Sequence, residues 1–232
     1  MAEESSQATM ATISIKDHGL PDDTHNLYDV TFCTDEIHTL LAQSPGPLHQ
    51  WLLETTQQQR TSNSSAAAPV VVGLDVEWRP NFSRNMDNPI ATLQLCVGNR
   101  CVIFQLIHSP SIPQSLFDFL RSKDYVFAGV GIDGDVEKLL EDYGLKVANV
   151  VDLRQLAASK LGVKELKNAG LKQLAKEVLG KEIAKPKRVQ MSRWDNPWLT
   201  PVQVQYACID AFLSCKIGES LMAAAEAGSG GA

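Results

Sequence analysis

Nine residues, Val70-Val71-Val72-Gly73-Leu74-Asp75-Val76-Glu77-Trp78, constrain the fold of this chain more than any others. A run so rich in β-branched apolar side chains suits a central strand covered on both faces. Two carboxylates interrupt it, two residues apart. Strand side chains alternate, so Asp75 and Glu77 share one face. Adjacent anions on a buried strand repel each other and lose hydration. Either this end of the strand emerges into solvent, or a positive group stands between the two acids. A divalent cation held by oxygen ligands is the natural candidate.

A doubly covered strand needs helices, and the rest of the chain supplies them. The 232 residues, 44% apolar and 21% charged, suit one domain with loose ends. Residues 27–41 read as two short edge strands around Cys33-Thr34-Asp35, and 47–55 as a short amphipathic helix. Beyond the central strand, 91–97 and 101–106 flank Gly98-Asn99-Arg100 as a hairpin. Residues 112–122 read as a helix, 125–130 as a strand, 134–143 as a helix, 149–152 as a short strand, and 153–161 and 171–179 as helices. A long last helix, 201–222, is started by Thr200-Pro201. Three antiparallel strands followed by two crossover strands predict an α/β fold, a mixed five-stranded sheet with helices on both faces. The expected folded region is 25–222, preceded by a disordered 1–24, interrupted by an exposed connector at 55–69 and followed by a flexible tail at 223–232.

Further acids fall at telling places. Asp133 and Asp135 lie in Val130-Gly131-Ile132-Asp133-Gly134-Asp135, a strand–turn–helix junction where capping alone could explain either. Asp210 lies within the last helix among Ala207, Ile209, Ala211 and Phe212. Tyr206 precedes it by four residues and shares its side of the helix. A buried mid-helix Asp needs a partner, and no neighbouring Lys or Arg offers one; the alternative is a polar stripe facing water.

These motifs occur in order: GLDVEW at 73–78, VGIDGD at 130–135 and YACIDA at 206–211. With Ala91-Thr92-Leu93-Gln94-Leu95-Cys96 and Ser192-x-Trp194, the chain resembles the DEDD superfamily of 3′–5′ exonucleases in its tyrosine-bearing subgroup. It is similar there to the exonuclease domain of Werner-syndrome-like proteins and, through 93–101, to small stand-alone plant members. The resemblance spans roughly residues 28–222 and implies a ribonuclease H-like fold. It implies Asp75, Glu77, Asp135 and Asp210 as metal-binding carboxylates, with Tyr206 orienting the attacking water. The subgroup with a His five residues before the last Asp does not match, because that position is Gln205. Asp133 and Asp152 read as capping or supporting acids.

Two divalent ions would clamp the attacking and leaving oxygens of a phosphodiester, and an all-oxygen donor set favours Mg²⁺ or Mn²⁺. The net charge of −6 excludes a protein coated with basic residues. Yet residues 160–193 hold ten Lys or Arg against three Glu, a local excess of seven, leaving −13 on the remainder. Lys185, Lys187 and Arg188, in a segment extended by Pro186, and Arg193 are candidate phosphate contacts; a solvated basic face is the alternative. Trp78 is a candidate base-stacking residue, or else part of the site wall.

The implied partner is single-stranded or 3′-recessed nucleic acid, with little base preference. Some of the plant group form rings of subunits, so the resemblance also allows a homo-oligomer, without the sequence itself revealing the oligomeric state. A catalytically idle nucleic-acid-binding scaffold and an exoribonuclease of small-RNA turnover are the competing readings. No window approaches a membrane span, and the start lacks a secretory layout. Five unpaired cysteines suit reduced thiols in the nucleus or cytoplasm, not a secreted protein. Cys96 and Cys101 read as core thiols.

Overall fold

The computed structural model describes residues 12–19, 24–62, 69–83, 85–184 and 186–226. Eight strands form one sheet: β1 (Ile13–Asp17), β2 (His25–Phe32), β3 (Asp35–Ala42), β4 (Val70–Trp78), β5 (Ile90–Val97), β6 (Arg100–Phe104), β7 (Tyr125–Gly129) and β8 (Val150–Asp152). Their order is β1-β2-β3-β6-β5-β4-β7-β8. The strands β6-β5-β4 are antiparallel, and β7 and β8 continue from β4 in parallel, as the sequence predicts. The sheet has eight strands where five were expected, because outside β6 the strand β3 pairs in parallel and leads into the antiparallel β2 and β1.

Helices cover both faces. On one side lie α1 (Pro45–Ser62), α2 (Gln114–Arg121) and α3 (Ile132–Tyr143). Their Leu48, Trp51, Leu52, Leu116, Phe119 and Leu139 bury against the sheet. On the other lie α4 (Leu153–Leu161), α5 (Leu171–Leu179), the short α6 (Lys187–Gln190) and α7 (Pro201–Glu226). There Trp194, Val204, Phe212 and Leu213 bury against Phe32, Cys96 and Ile103. The β5 strand, covered on both sides, is buried at all eight positions. This helix–sheet–helix sandwich makes a mixed α/β fold.

Four boundaries differ from expectation. Residues 13–17, placed in the disordered 1–24, form β1: Ile13 and Ile15 alternate with Ser14 and Lys16, and the two isoleucines pack on the core. The first helix runs on to Ser62 through the expected connector, because Gln57, Gln58 and Gln59, the first two of them exposed, hold helical backbone without needing a core. The remainder of that connector falls largely at 63–68, outside the described residues, as do 1–11 and 20–23 of the expected N-terminal segment. At the other end α7 continues to Glu226, past the expected start of the tail, and 227–232 are outside the described residues. The segment expected to be extended before Trp194 instead starts the one-turn α6 at Lys187, with Pro186 just ahead of it, where its missing N–H costs nothing.

Candidate active site

The last helix is started by a reciprocal cap. Thr200 N–H donates to Gln203 Oε1 at 3.0 Å, and Gln203 N–H donates to Thr200 Oγ1 at 3.3 Å. Gln203 Nε2 also donates to Ser192 Oγ at 3.0 Å, tying the helix start to the Ser192-x-Trp194 segment. Trp194 is wholly buried, its ring 6.0 Å from that of Tyr206. Tyr206 is thus propped from behind, and its hydroxyl is directed to Asp210, one turn on, which it hydrogen-bonds.

Asp210 is only 5% exposed, and Asp75 and Glu77 on β4 are half-buried. Asp75, Glu77 and Asp210 each place a carboxylate oxygen within 4.8 Å of the others. Residues 135 apart along the chain therefore form one acidic cluster. Burial first, then the charges of Asp210, Glu77 and Asp75, push the Tyr206 hydroxyl well above its ordinary pKa, so the phenol stays protonated.

Asp135 lines the same cleft from the first turn of α3. It does not cap that helix: the capping position is Gly131, at φ 73°, with no side-chain hydrogen bond. Burial raises the Asp135 carboxyl to about 7; Asp152 adds to the rise, and Arg154 opposes it. Asp152 has the separate job the sequence predicts, accepting Arg154 N–H at 2.8 Å to cap α4. It also pairs with the Arg154 guanidinium at 2.6 Å. Asp133, in the same first turn as Asp135, is exposed.

The cleft has a volume of about 450 Å³. Trp78 forms part of its wall, with the Lys138 ammonium 5.9 Å from the ring centre. Gln190 and Met191 bring the end of α6 to the rim, and Lys187 and Arg188 are exposed on that helix. Arg193 is exposed but engaged, its Nε 2.8 Å from Asp195. Lys185 lies outside the described residues. The sequence reading missed Gly170, Gln190, Met191 and Ser214 as wall residues. Ser214 was within reach, since it continues the four-residue step from Tyr206 to Asp210.

The donor set is oxygen-only, anionic and half-buried, which fits a divalent cation of the Mg²⁺ or Mn²⁺ type. A carboxyl that burial, as the largest cause, raises to about 7 fits the same reading, because a bound cation would offset its desolvation.

Residues 50–225 match the family model described as 3′-5′ exonuclease. An Arabidopsis thaliana 3′-5′ exonuclease is 41% identical over 145 residues, covering 62% of this chain and 49% of that protein. The mouse bifunctional 3′-5′ exonuclease/ATP-dependent helicase WRN is 38% identical over 152 residues, 65% of this chain and 11% of that one. The chain thus spans about half of the first relative and about a tenth of the second. Among solved structures, the Aedes aegypti Nibbler EXO domain matches with TM-score 0.64 at 18% identity, over 82% of this chain and 89% of that one. Escherichia coli RNase D, an exoribonuclease involved in structured RNA processing, matches with TM-score 0.60 at 20% identity, over 76% of this chain and 43% of that one. The fold shared with these two is the ribonuclease H-like one.

Proposed function

The chain belongs to the 3′-5′ exonuclease family, and on that premise we propose that it hydrolyses phosphodiester bonds of DNA or RNA from the 3′ end, releasing nucleoside monophosphates. The observation that carries the reading is the convergence of Asp75, Glu77 and Asp210 beneath the Tyr206 hydroxyl in a half-buried cleft.

Asp75, Glu77, Asp210 and Asp135 would hold a pair of Mg²⁺ or Mn²⁺ ions. When bound, such ions supply Lewis-acid stabilisation of the charge that develops on the attacking and leaving oxygens. The protein's own groups do the positioning. Tyr206, kept protonated by burial and by its acidic neighbours, can fix a water by hydrogen bonding in line with the scissile phosphorus. Trp78 offers a flat wall to the terminal base. Lys187 and Arg188, on the helix that reaches the rim, offer sequence-independent phosphate contacts.

The test is a digest of 3′-labelled single-stranded RNA, single-stranded DNA and 3′-recessed duplex with Mg²⁺, Mn²⁺ or EDTA. We expect mononucleotide release with either ion and none with EDTA. Asp75→Asn and Asp210→Asn should each abolish release while the protein stays folded. Wild-type rates in either variant would end the assignment. The relative rates on the three substrates decide between DNA and RNA.

A further inference from the structure

A second cluster of metal-ligating side chains lies three strands from β4 and on the other face of the sheet. Along β2 and β3, Val30, Phe32, Ile37 and Leu41 point to the α7 side, where they join its core. Alternation turns Asp29, Glu36 and His38 to the α1 side. Asp29 and His38 are direct cross-strand partners, and Glu36 stands two residues before His38 on the same face. His18, just past β1, is held beside Leu27 by its backbone N–H at 3.0 Å.

These side chains converge on one carboxylate. Asp29 Oδ1 lies 2.9 Å from His38 Nδ1, and Asp29 Oδ2 lies 2.7 Å from His18 Nε2. Asp29, Glu36 and His38 each offer a ligand atom within 4.8 Å of the others. The Asp29 side chain is 20% exposed against 36% for His18 and 65% for His38, so the carboxylate is sunk and the imidazoles close over it from two strands. The cluster is at one end of a groove of about 680 Å³ between α1 and the outer strands.

We propose that His18, Asp29, Glu36 and His38 form a second metal site that takes a Zn²⁺-class transition ion. Two imidazole nitrogens with two carboxylate oxygens make a donor set that suits Zn²⁺, Ni²⁺ or Cu²⁺ and not Mg²⁺, the opposite preference to the all-oxygen cluster on α7. Donors about 2.1 Å from a tetrahedral Zn²⁺ stand roughly 3.4 Å apart. The two Asp29–imidazole contacts, at 2.7 and 2.9 Å, would open by about half an ångström, the Asp29, Glu36 and His38 atoms lie within 4.8 Å of one another, and His18, outside that group, would turn in to join them. Small rotations of exposed imidazoles supply that. Lys16, the cross-strand partner of Asp29 on β1, is exposed and can turn into solvent when a cation arrives. Because its ligands come from β2, β3 and the residue just past β1, the bound ion would tie the end of β1 to the next two strands.

The test uses the full chain, stripped with a chelator and carrying Asp75→Asn and Asp210→Asn so that the other cluster is disabled. Co²⁺ is added and followed by its visible absorption, and Zn²⁺ is titrated against a chromophoric chelator. We expect one Co²⁺ per chain, displaced by equimolar Zn²⁺ and not by a thousandfold excess of Mg²⁺. His18→Ala and His38→Ala should each weaken Zn²⁺ binding at least tenfold. Glu36→Gln, at an exposed position that leaves folding intact, should weaken it less. Absence of equimolar uptake, or unchanged affinity in folded His38→Ala and Glu36→Gln, would overturn the site and leave a hydrogen-bonded clasp. If the double Asn background does not fold, the wild-type chain in saturating Mg²⁺ gives the same readout.

Discussion

Gly73 lies hard against the backbone of Ala211: a Cβ at position 73 would overlap the Ala211 carbonyl and come within 2.6 Å of the Cys215 nitrogen. Two residues along β4 from Gly73 is Asp75, and one residue before Ala211 is Asp210. The missing side chain therefore sets how closely α7 approaches β4, and with it the spacing of the acidic cluster. Gly73→Ala should cost about 3 kcal/mol, the upper end for overpacking, because backbone cannot move aside as a side chain can. Chemical denaturation would measure it, and nuclease activity should fall with it. Gly134→Ala is the control. No atom lies within 4 Å of a Cβ there, and the position is helical, so stability should hold or rise by up to about 1 kcal/mol.

Tyr206→Phe separates the hydroxyl from the ring. The ring packs on Trp194 and the residue is 8% exposed, so the Phe variant keeps the packing and loses only the hydroxyl and its bond to Asp210. Stability should stay within about 1 kcal/mol of wild type. The turnover number should fall on the order of 10²-fold, with KM nearly unchanged, if the hydroxyl aligns the attacking water. Steady-state kinetics on a short 3′-labelled oligonucleotide, alongside thermal denaturation, gives both numbers. A KM effect with intact turnover would instead make Tyr206 a substrate-binding group.

The parts of this molecule legible in its sequence are those whose signal is local. The apolar run of β4 announces a central strand, and Asp75 and Glu77 stand out because they break it. Asp210 stands out because the helix around it is apolar, and Tyr206 because it sits one turn away. Other features depend on partners far along the chain. Ile13 and Ile15 make a strand only because β2 offers an edge, and nothing in their polar surroundings says so. Gln190, Met191 and Gly170 look like ordinary surface residues until α5 and α6 fold beside β4. The same holds for His18, Asp29 and His38, which become neighbours only through the register of β1, β2 and β3.

Alkaline stability should turn on Tyr143. Its hydroxyl donates to the Ile90 carbonyl at 2.5 Å, and the neighbouring Asp142 carboxylate accepts the Ile90 N–H at 2.8 Å. Together they clamp the end of α3 to the start of β5, opposite Trp78. Burial first, then the Asp142 charge, raises the Tyr143 hydroxyl from 10.0 to about 12. The folded state therefore holds this proton more tightly than the unfolded chain does. Its contribution is fully present below pH 10 and is lost as pH rises toward 12. Tyr143→Phe removes the titration. Wild type should lose on the order of 1–2 kcal/mol relative to this variant between those two pH values, after allowance for partial exposure. Urea denaturation at stepped alkaline pH measures the difference, and parallel curves for the two proteins would refute the clamp.

Lys187 and Arg188 give the substrate-binding reading its sharpest check. Both are exposed on a helix whose end, at Gln190 and Met191, forms the rim of the cleft, whereas Arg193 is already occupied by Asp195. Two exposed cations beside a cleft meant for a polyanion should act through counterion release. Replacing both by Gln should raise KM several-fold at moderate salt and leave turnover unchanged, since neither residue is among those that line the cleft. The slope of log affinity against log salt should shrink by about 0.7 for each single-strand phosphate that the protein no longer neutralises. The weakening should be equal across base sequences, because phosphates carry no sequence information. Arg193→Gln should change the slope less than either of the other two, because its charge is spent within the protein. If the salt slope does not move in the double variant, the basic face is a solvated surface and the substrate enters the cleft from another side.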